Sequence, residues 1–423
     1  MRFGLLLVAV AVVRAQTGVG IITTIAGTGE RGFSGDGGPA TAAKLALANL
    51  TNECDPSQFE QTVHLAVDRA GSVWFTDANN QRIRRINPQG IISTVAGSGE
   101  RPVTDPRTCA PTGPIGDGGA ATAARLYNPG DLVWDSAGNL IIADQQNNRI
   151  RRVSGGNQIA SIVGSGLHQF YANGVPASST GLDWPSAVAL DGAGTLYFAE
   201  LHSNRVARVG VDGRLATVAG DGLPGSGARL RNPTGITVDA AGNLYIADQG
   251  NHRIQRVAPN GALTTVAGTG TAGFSGDGGP AATAALNLPT DVKVDGAGNI
   301  YIADMGNHRV RRVTPAGGIS TVAGTGQAAR GADGVPAASS ALNFPAAVAL
   351  DATGDLYIID WQNYRIRKVS FNPRPSIAAG GVVNGASFAP APVPVAPGSI
   401  ISIFGVNLAA ETALAAAVPL PTE

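Results

Sequence analysis

One sequence unit recurs six times along this chain of 423 residues, and that repeat limits the folds the chain can adopt. The copies align on six aspartates: Asp68, Asp135, Asp191, Asp239, Asp295 and Asp351. Their spacings are 67, 56, 48, 56 and 56 residues. A period of about 50 residues is typical of β-propellers, in which each unit buries its apolar faces against its neighbours.

The fourth copy shows how each unit is built. Short runs rich in β-branched and aromatic residues lie at 234–239, 244–247, 253–257 and 263–267. Turn sequences such as Ala-Gly-Asn, Gln-Gly-Asn and Pro-Asn-Gly separate them, which predicts four antiparallel strands. Six copies of four strands predict an all-β fold, a six-bladed β-propeller.

One strand precedes the first copy and indicates how the ring closes. Its sequence IITTIAG (21–27) matches the fourth strand of other copies, such as LTTVAG (263–268). The sixth copy has no fourth strand of its own, because Asn-Pro-Arg-Pro (372–375) follows its third strand and proline cannot donate to the ladder. We therefore expect a propeller over 20–371, closed by the N-terminal strand, with two fewer exposed edges.

The string GFSGDGGPA occurs at 32–40 and again at 273–281, with weaker copies at 115–129, 172–185 and 331–345. It connects the fourth strand of one blade to the first strand of the next, a segment called a joint below. It lacks the lysine of a phosphate-binding loop, the nucleophilic serine of a trypsin-like motif and the spaced oxygen ligands of a calcium loop. We predict a structural joint with a glycine-rich turn, one helical turn and a leucine packed between blades.

Four turns carry the sequences NNRI (147–150), NHRI (251–254), NHRV (307–310) and NYRI (363–366), each downstream of Tyr-Ile-Ala-Asp or an equivalent. Through these motifs the chain resembles the NHL-repeat family, and the resemblance covers about residues 20–371. The resemblance implies the propeller but no single activity, because that family includes protein-binding, RNA-binding and catalytic members. Similar extracellular propellers include an amidating lyase with a metal in the central channel and lactonases with a calcium ion there.

The two ends predict export. Residues 1–15 combine Arg2, an apolar run and small residues at the cleavage site, as a secretory signal peptide does. The mature chain has no apolar run of about 18 residues, so we expect a secreted or periplasmic protein without a membrane span. After a linker at 372–380, the segment 381–423 is similar to the opening of an IPT/TIG-like, Ig-fold module of secreted bacterial proteins. It is too short for a complete sandwich of about 100 residues.

Cys54 and Cys109 are the two cysteines of the chain. Each lies in an insertion that lengthens a joint, and the two joints are one blade apart. Because exported proteins meet an oxidising environment, we predict a disulfide between them.

The charges balance, with 30 basic and 30 acidic residues. A net charge of zero gives no long-range attraction to nucleic acid or to anionic membranes, so neither is an expected partner. The third strands are rich in arginine, as in RIRRI (82–86), and pairing with neighbouring acids is favoured over a basic rim.

The first strand of each blade lines the channel, and one position near its start differs between copies. The six residues there are His64, Asp131, Ala187, Gly235, Asp291 and Ala347. Two carboxylates and an imidazole at one level of a channel have the chemistry to bind calcium or zinc, or to act as base and electrostatic partner. Lys293 is an alternative partner for one carboxylate, and a solvated polar lining without function is the other interpretation.

The repeated turns predict structure rather than chemistry. Aspartates such as Asp77 precede an arginine by five residues in five copies, and we expect the carboxylate to cap its turn and pair with that arginine. The third copy departs with Glu200 and His202, which indicates either a supplementary site or a loosened turn. His168, in the joint before it, has no partner visible in the sequence.

No Ser-His-Asp set, HExxH or CxxC pattern appears. We predict an exported, monomeric binding or scaffold module whose joints contact a protein or glycan. The alternative is a metal-dependent lyase or lactonase-type hydrolase with its site in the channel.

Overall fold

The computed structural model describes residues 19–47, 62–105, 110–169, 171–220 and 230–371, and the backbone of strands at 376–384 and 401–406. The chain divides into two compact units, Met1–Ser370 and Phe371–Glu423. The described part of the first unit is a six-bladed β-propeller, as the repeat predicts. The predicted signal peptide, Cys54 and Cys109 lie outside the described residues.

Each blade is an antiparallel sheet whose first strand lines the channel. Blade 1 comprises β2 to β5 (Leu65–Val67, Val73–Asp77, Arg82–Ile86, Ile92–Ala96) and blade 2 comprises β6 to β9 (Pro129–Trp134, Leu140–Asp144, Arg149–Val153, Ile159–Val163). Blade 3 comprises β10 to β13 (Pro185–Leu190, Leu196–Glu200, Arg205–Val209, Leu215–Ala219) and blade 4 comprises β14 to β17 (Pro233–Val238, Leu244–Asp248, Arg253–Val257, Leu263–Ala267). Blade 5 comprises β18 to β21 (Pro289–Val294, Ile300–Asp304, Arg309–Val313, Ile319–Ala323).

Blade 6 is built from both ends of the propeller. Its own strands are β23 to β25 (Pro345–Leu350, Leu356–Asp360, Arg365–Ser370), and the N-terminal β1 (Ile21–Ala26) pairs antiparallel with β25. The short β22 (Val335–Pro336) pairs with the other edge of β1. The predicted closure of the ring by the N-terminal strand is confirmed.

The hydrophobic core lies between neighbouring blades rather than at one centre. A leucine from each joint is fully buried there: Leu45, Leu126, Leu182, Leu230, Leu286 and Leu342. Leu286, for example, packs with Ala247 and Ile254 of blade 4 and with Ile302 of blade 5. The leucines therefore seal the gaps between blades, as the sequence predicts.

Short 3-10 helical turns occupy the joints and the turns between second and third strands. The joint turns are Ala40–Ala42, Ala121–Ala123, Ala281–Thr283 and Ala337–Ser339. The others are Ala78–Asn80, Gln145–Asn147, Gln249–Asn251, Met305–Asn307 and Trp361–Asn363. Because strands alternate in direction, both sets lie at one end of the propeller, here called the joint face. The remaining hairpin turns form the opposite turn face.

The repeated GFSGDGGPA string is a structural joint. Gly35 has φ +92°, and a Cβ there would lie 2.7 Å from the Cβ of Ala43, so only glycine fits. Asp36 accepts hydrogen bonds from the buried Arg84 (2.7 Å) and from Thr94 (2.6 Å) of the following blade. The aspartate thus ties the joint to that blade.

The expected pairing of each turn aspartate with the arginine five residues later is wrong in blades 1, 2, 5 and 6. Asp77 Oδ2 pairs instead with Arg84 Nη1 at 3.0 Å, and Arg82 donates to the carbonyls of Asn80 and Ser98. Residues two apart on a strand share a face, so Arg82 and Arg84 both lie on the strand face that can reach the aspartate. The buried arginine reaches the buried carboxylate, and the more exposed one reaches carbonyl oxygens at the surface. Arginines are therefore paired here, in line with the charge balance.

In the second unit, β26 (Ser376–Asn384) pairs antiparallel with β27 (Ile401–Val406). The first of these strands begins within the predicted linker at 372–380. Among the described residues, no helix has the length and hydropathy needed to cross a bilayer.

Candidate functional site

The central channel contains a cavity of about 190 Å³ whose lining includes Asp131 and Lys293 together with apolar residues of the inner strands. Toward the joint face the three candidates from the sequence are almost completely buried: His64 is 1% exposed, Asp131 3% and Asp291 0%. The three side chains are therefore buried, and a polar lining without function stays one of the two interpretations.

Each aspartate joins its own blade to the next. Asp131 accepts the N–H of Leu132 at 2.7 Å and, across the blade boundary, the N–H of Val188 at 3.0 Å. Asp291 repeats this with Val292 at 2.8 Å and Val348 at 3.0 Å. The small residues that follow in the ring, such as Ala187, leave room for these contacts. Both carboxylates therefore act as inter-blade hydrogen-bond acceptors.

Lys293 neutralises charge in the channel. Its Nζ donates to Asp291 Oδ1 at 2.8 Å. Burial works against the ammonium ion, but the carboxylates of Asp291 and Asp131 outweigh it and raise the pKa of Lys293. The lysine is therefore charged at neutral pH, and its charge interacts favourably with both aspartates.

His64 lies at the same level. Its Nδ1 donates to the carbonyl of Gly130 at 2.9 Å, and its Nε2 lies 3.7 Å from Asp291 Oδ1. The structure thus brings His64 near Asp291. The roles of His64, Asp131 and Asp291 as metal ligands or as an acid–base pair stay predictions.

Another group of side chains has the residue types and the spacing that could hold a metal ion. Among the described residues, His168, Asp183 and His202 are the group whose candidate ligand atoms all lie within 4.8 Å of one another. His168 Nε2 contacts Asp183 Oδ1, and His202 Nδ1 lies 3.9 Å from the same oxygen. His168 and Asp183 belong to the joint before blade 3, and His202 to the turn after β11. The sequence pattern presented His202 as a departure from the repeat and His168 as a histidine without a visible partner, and the structure gives His168 the partner Asp183.

Asp183 is suited to remain ionised. Burial alone would raise its pKa, but hydrogen bonds from His168 and Ser203 and the charge of the two imidazoles lower it overall. Ser203 Oγ donates to Asp183 Oδ2 at 2.5 Å, which leaves Oδ1 directed at the histidines.

Exposed apolar side chains are concentrated in the joints. Of the six large hydrophobic residues exposed in the described part of the chain, four lie in joints: Phe33, Val103, Leu167 and Phe274. The rings of Phe33 and Phe274 lie 3.8 and 3.7 Å from the guanidinium carbons of Arg82 and Arg309. The two copies of the repeated string thus each present an aromatic–arginine pair on the joint face.

The turn face has a groove between blades 1 and 2. A cavity of about 450 Å³ is lined by Asp68, Arg69, Trp134 and Asp135, among others. Trp74 packs edge-on against Trp134 with ring centroids 5.2 Å apart.

Comparisons with known proteins agree with the fold. The family model of the teneurin NHL domain matches residues 21–222, and that of the NHL repeat matches 230–257 and 286–313. The chain contains NHL repeats. The resemblance that the turn sequences indicate is confirmed at this level, and the molecule is called the NHL propeller below.

Two curated relatives are teneurins. The NHL propeller is 30% identical to teneurin-3 of Danio rerio over 303 residues and 27% identical to teneurin-1 of Mus musculus over 307 residues. These matches cover 68% and 69% of the chain but 9% of each relative. The chain thus spans under a tenth of the length of these teneurins.

Solved structures support the fold alone. A protein of unknown function from Bacteroides thetaiotaomicron matches with a TM-score of 0.58 at 20% identity, covering 83% of this chain and 76% of the other. An auxiliary nutrient binding protein from Bacteroides ovatus matches with a TM-score of 0.57 at 18% identity, covering 84% and 77%.

Proposed function

We propose that the NHL propeller is an exported binding module whose joint face contacts a protein or glycan partner. The observation that carries the proposal is the concentration of exposed apolar side chains in the joints. Phenylalanine and arginine are enriched at protein interfaces relative to the rest of the surface, and two of these side chains are phenylalanines stacked on arginines. Export rests on the predicted signal peptide at 1–15, and the monomeric state is part of the same proposal.

The aromatic–arginine pairs are the centre of the proposed surface. Phe33 and Phe274 are each 43% exposed, so each ring keeps one face open while the other covers an arginine. Arginine is enriched among the hot spots of protein interfaces, and phenylalanine is enriched at interfaces in general. The joints also differ in length from blade to blade, which suits specificity carried by loops on a rigid scaffold.

The test compares the two faces of the propeller. Labelled full-length mature chain is applied to a glycan array and to fractionated extracellular proteins of the organism that produces it, and each ligand found is titrated. The double variant Phe33→Ser/Phe274→Ser should weaken binding by about tenfold or more, since loss of two hot-spot side chains costs at least about 1.4 kcal/mol.

The matched control lies on the turn face. Trp134→Leu introduces the residue that blades 3 and 6 have at the same strand position, Leu190 and Leu350. This control should bind as the parent does. Binding lost in Trp134→Leu but kept in the phenylalanine variant would contradict the proposal and assign the partner to the groove between blades 1 and 2.

A second candidate function is a metal-dependent lyase or lactonase-type hydrolase with its site in the channel. The observation in its favour is the pair of buried carboxylates, Asp131 and Asp291, beside a cavity that Lys293 also lines. Turnover of a lactone or peptidyl substrate that requires calcium or zinc and disappears in Asp131→Asn/Asp291→Asn would favour it. Binding without such turnover would favour the module.

A further inference from the structure

We propose that His168, Asp183 and His202 bind a divalent transition-metal ion, with Zn²⁺ as the physiological ion. Two imidazole nitrogens and one carboxylate oxygen are the donors that zinc takes when three protein ligands leave a fourth position open. Calcium and magnesium prefer sites made of oxygen alone, so the nitrogen donors favour a late first-row metal. The inference is independent of the proposed partner-binding function.

The three ligands are departures from the repeat at three separate positions. His168 forms an isolated β-bridge with the buried leucine of its joint. The residues that form this bridge in other joints are Arg31, Ala272 and Ala328. At the position of Asp183, whose N–H binds the carboxylate of the following turn, other joints have Ala46, Tyr127, Arg231, Asn287 and Asn343. At the position of His202, other turns have Asn79, Gln146, Gly250, Gly306 and Gln362. Blade 3 alone combines two histidines and an acid at these positions, and the fold brings all three to one point.

A supporting layer of hydrogen bonds holds Asp183 in place. Its N–H donates to Glu200 Oε1 at 2.8 Å. Glu200 in turn accepts hydrogen bonds from Arg205 Nε at 2.6 Å and from the hydroxyl of Tyr171 at 2.9 Å. Such outer partners orient metal ligands and are part of working metal sites.

The histidine rings are also positioned by packing. The ring of Trp184 lies 4.2 Å from that of His202 and 5.9 Å from that of His168, measured between centroids. Ser203 takes the place of the asparagine found in the other turns and donates a hydrogen bond to Asp183 Oδ2. Oδ1 of Asp183 is therefore the oxygen that faces the two imidazoles.

The site is accessible from solvent on the joint face. The side chain of His168 is 37% exposed, that of His202 20% and that of Asp183 13%. An ion held here would link both ends of the joint to the turn of blade 3. Its fourth position would accept water or a donor group from a partner.

The experiment uses the full mature chain, freed of metal with a chelator and then titrated with Zn²⁺ by calorimetry and with Co²⁺ by visible absorption. We expect one ion per chain, a tetrahedral Co²⁺ spectrum and a higher thermal midpoint with zinc. His168→Ala, Asp183→Asn and His202→Gln should each weaken the affinity by at least about tenfold, because each replaces a zinc ligand with a group that binds zinc weakly or not at all, and even loss of an outer partner costs about that much.

Each variant introduces a residue that another blade tolerates at the same position, so the fold is retained. Ala272 and Ala328 correspond to the first, Asn287 and Asn343 to the second, and Gln146 and Gln362 to the third. His252→Asn is the matched control, since it removes a surface-turn histidine outside the cluster, and it should bind as the parent does. The proposal is overturned if the parent binds neither ion, or if the three variants bind as tightly as the control.

Discussion

His252 and His308 show how one turn position is used for hydrogen bonding between blades. Both have positive φ, +53° and +54°, and close a 3-10 turn. Nδ1 of His308 accepts the N–H of Phe344 at 3.1 Å. In blades 2 and 3 the side-chain oxygens of Asn148 and Asn204 accept the equivalent N–H groups. A neutral imidazole is therefore an acceptor that asparagine can replace.

We expect the stability of the propeller to fall as the pH drops below about 6.5, and part of this loss to come from these two histidines. Burial, and secondarily Arg231 and Arg309, lower the pKa of His252 and of His308 from the ordinary 6.5. The unfolded chain therefore binds more protons just below 6.5, so acidification favours unfolding. Protonation of Nδ1 removes an acceptor worth about 1 kcal/mol.

The double variant His252→Asn/His308→Asn tests this, with urea unfolding measured at about pH 7.5 and about pH 5.5. The variant should lose less stability than the parent between these two values. An identical loss in both proteins would mean that the histidines do not contribute.

A second residue-scale prediction concerns the buried arginines. Arg311 donates to Asp304 at 3.2 Å and to Asp277 at 2.8 Å. Arg311→Leu leaves Asp304 buried without its cation and should cost about 3–5 kcal/mol of unfolding free energy. Arg311→Gln should cost clearly less, because Gln255 occupies this position in blade 4 and reaches Asp248 at 3.5 Å. Equal costs by urea unfolding would contradict this account.

At the scale of elements, the N-terminal strand should stabilise the molecule as much as a strand inside a blade. Ile22 of β1 and Ile92 of β5 hold equivalent places beside a third strand, opposite Val369 and Ile86, and both are fully buried. We expect Ile22→Ala and Ile92→Ala to cost similar amounts, about 2–4 kcal/mol each, by urea unfolding. A cost near zero for Ile22→Ala would show that ring closure does not support the fold.

Strand positions could be predicted closely from the sequence because the repeat gives six views of one pattern. In blade 4 the predicted 234–239 and 244–247 are observed as Pro233–Val238 and Leu244–Asp248, and the third and fourth strands agree at both ends. The arginine partners could not be predicted, because Arg82 and Arg84 lie on the same strand face. Only the deeper burial of Arg84 distinguishes the two arginines as partners for the buried aspartate.

For the whole molecule, the architecture was predictable and the cluster of His168, Asp183 and His202 was not. Two of its members are 15 residues apart in an irregular joint, whose path no periodicity describes. Comparing the joints and turns of all copies position by position would have shown that blade 3 departs at each place. The sequence shows that the channel positions differ between copies, but the hydrogen bonds of Asp131 and Asp291 across blades depend on the ring being closed.

The pairing of β1 with β25 also fixes the order of events during synthesis. Ile22 lies opposite Val369, so β1 must wait until nearly the whole propeller is made before its partner β25 exists. At about 5–20 residues per second, that delay is roughly 17–70 s. Throughout it, β1 has no β25 to pair with, and unpaired strands are prone to wrong pairing. A chain held unfolded until release would avoid the delay, since both partners would then be present together.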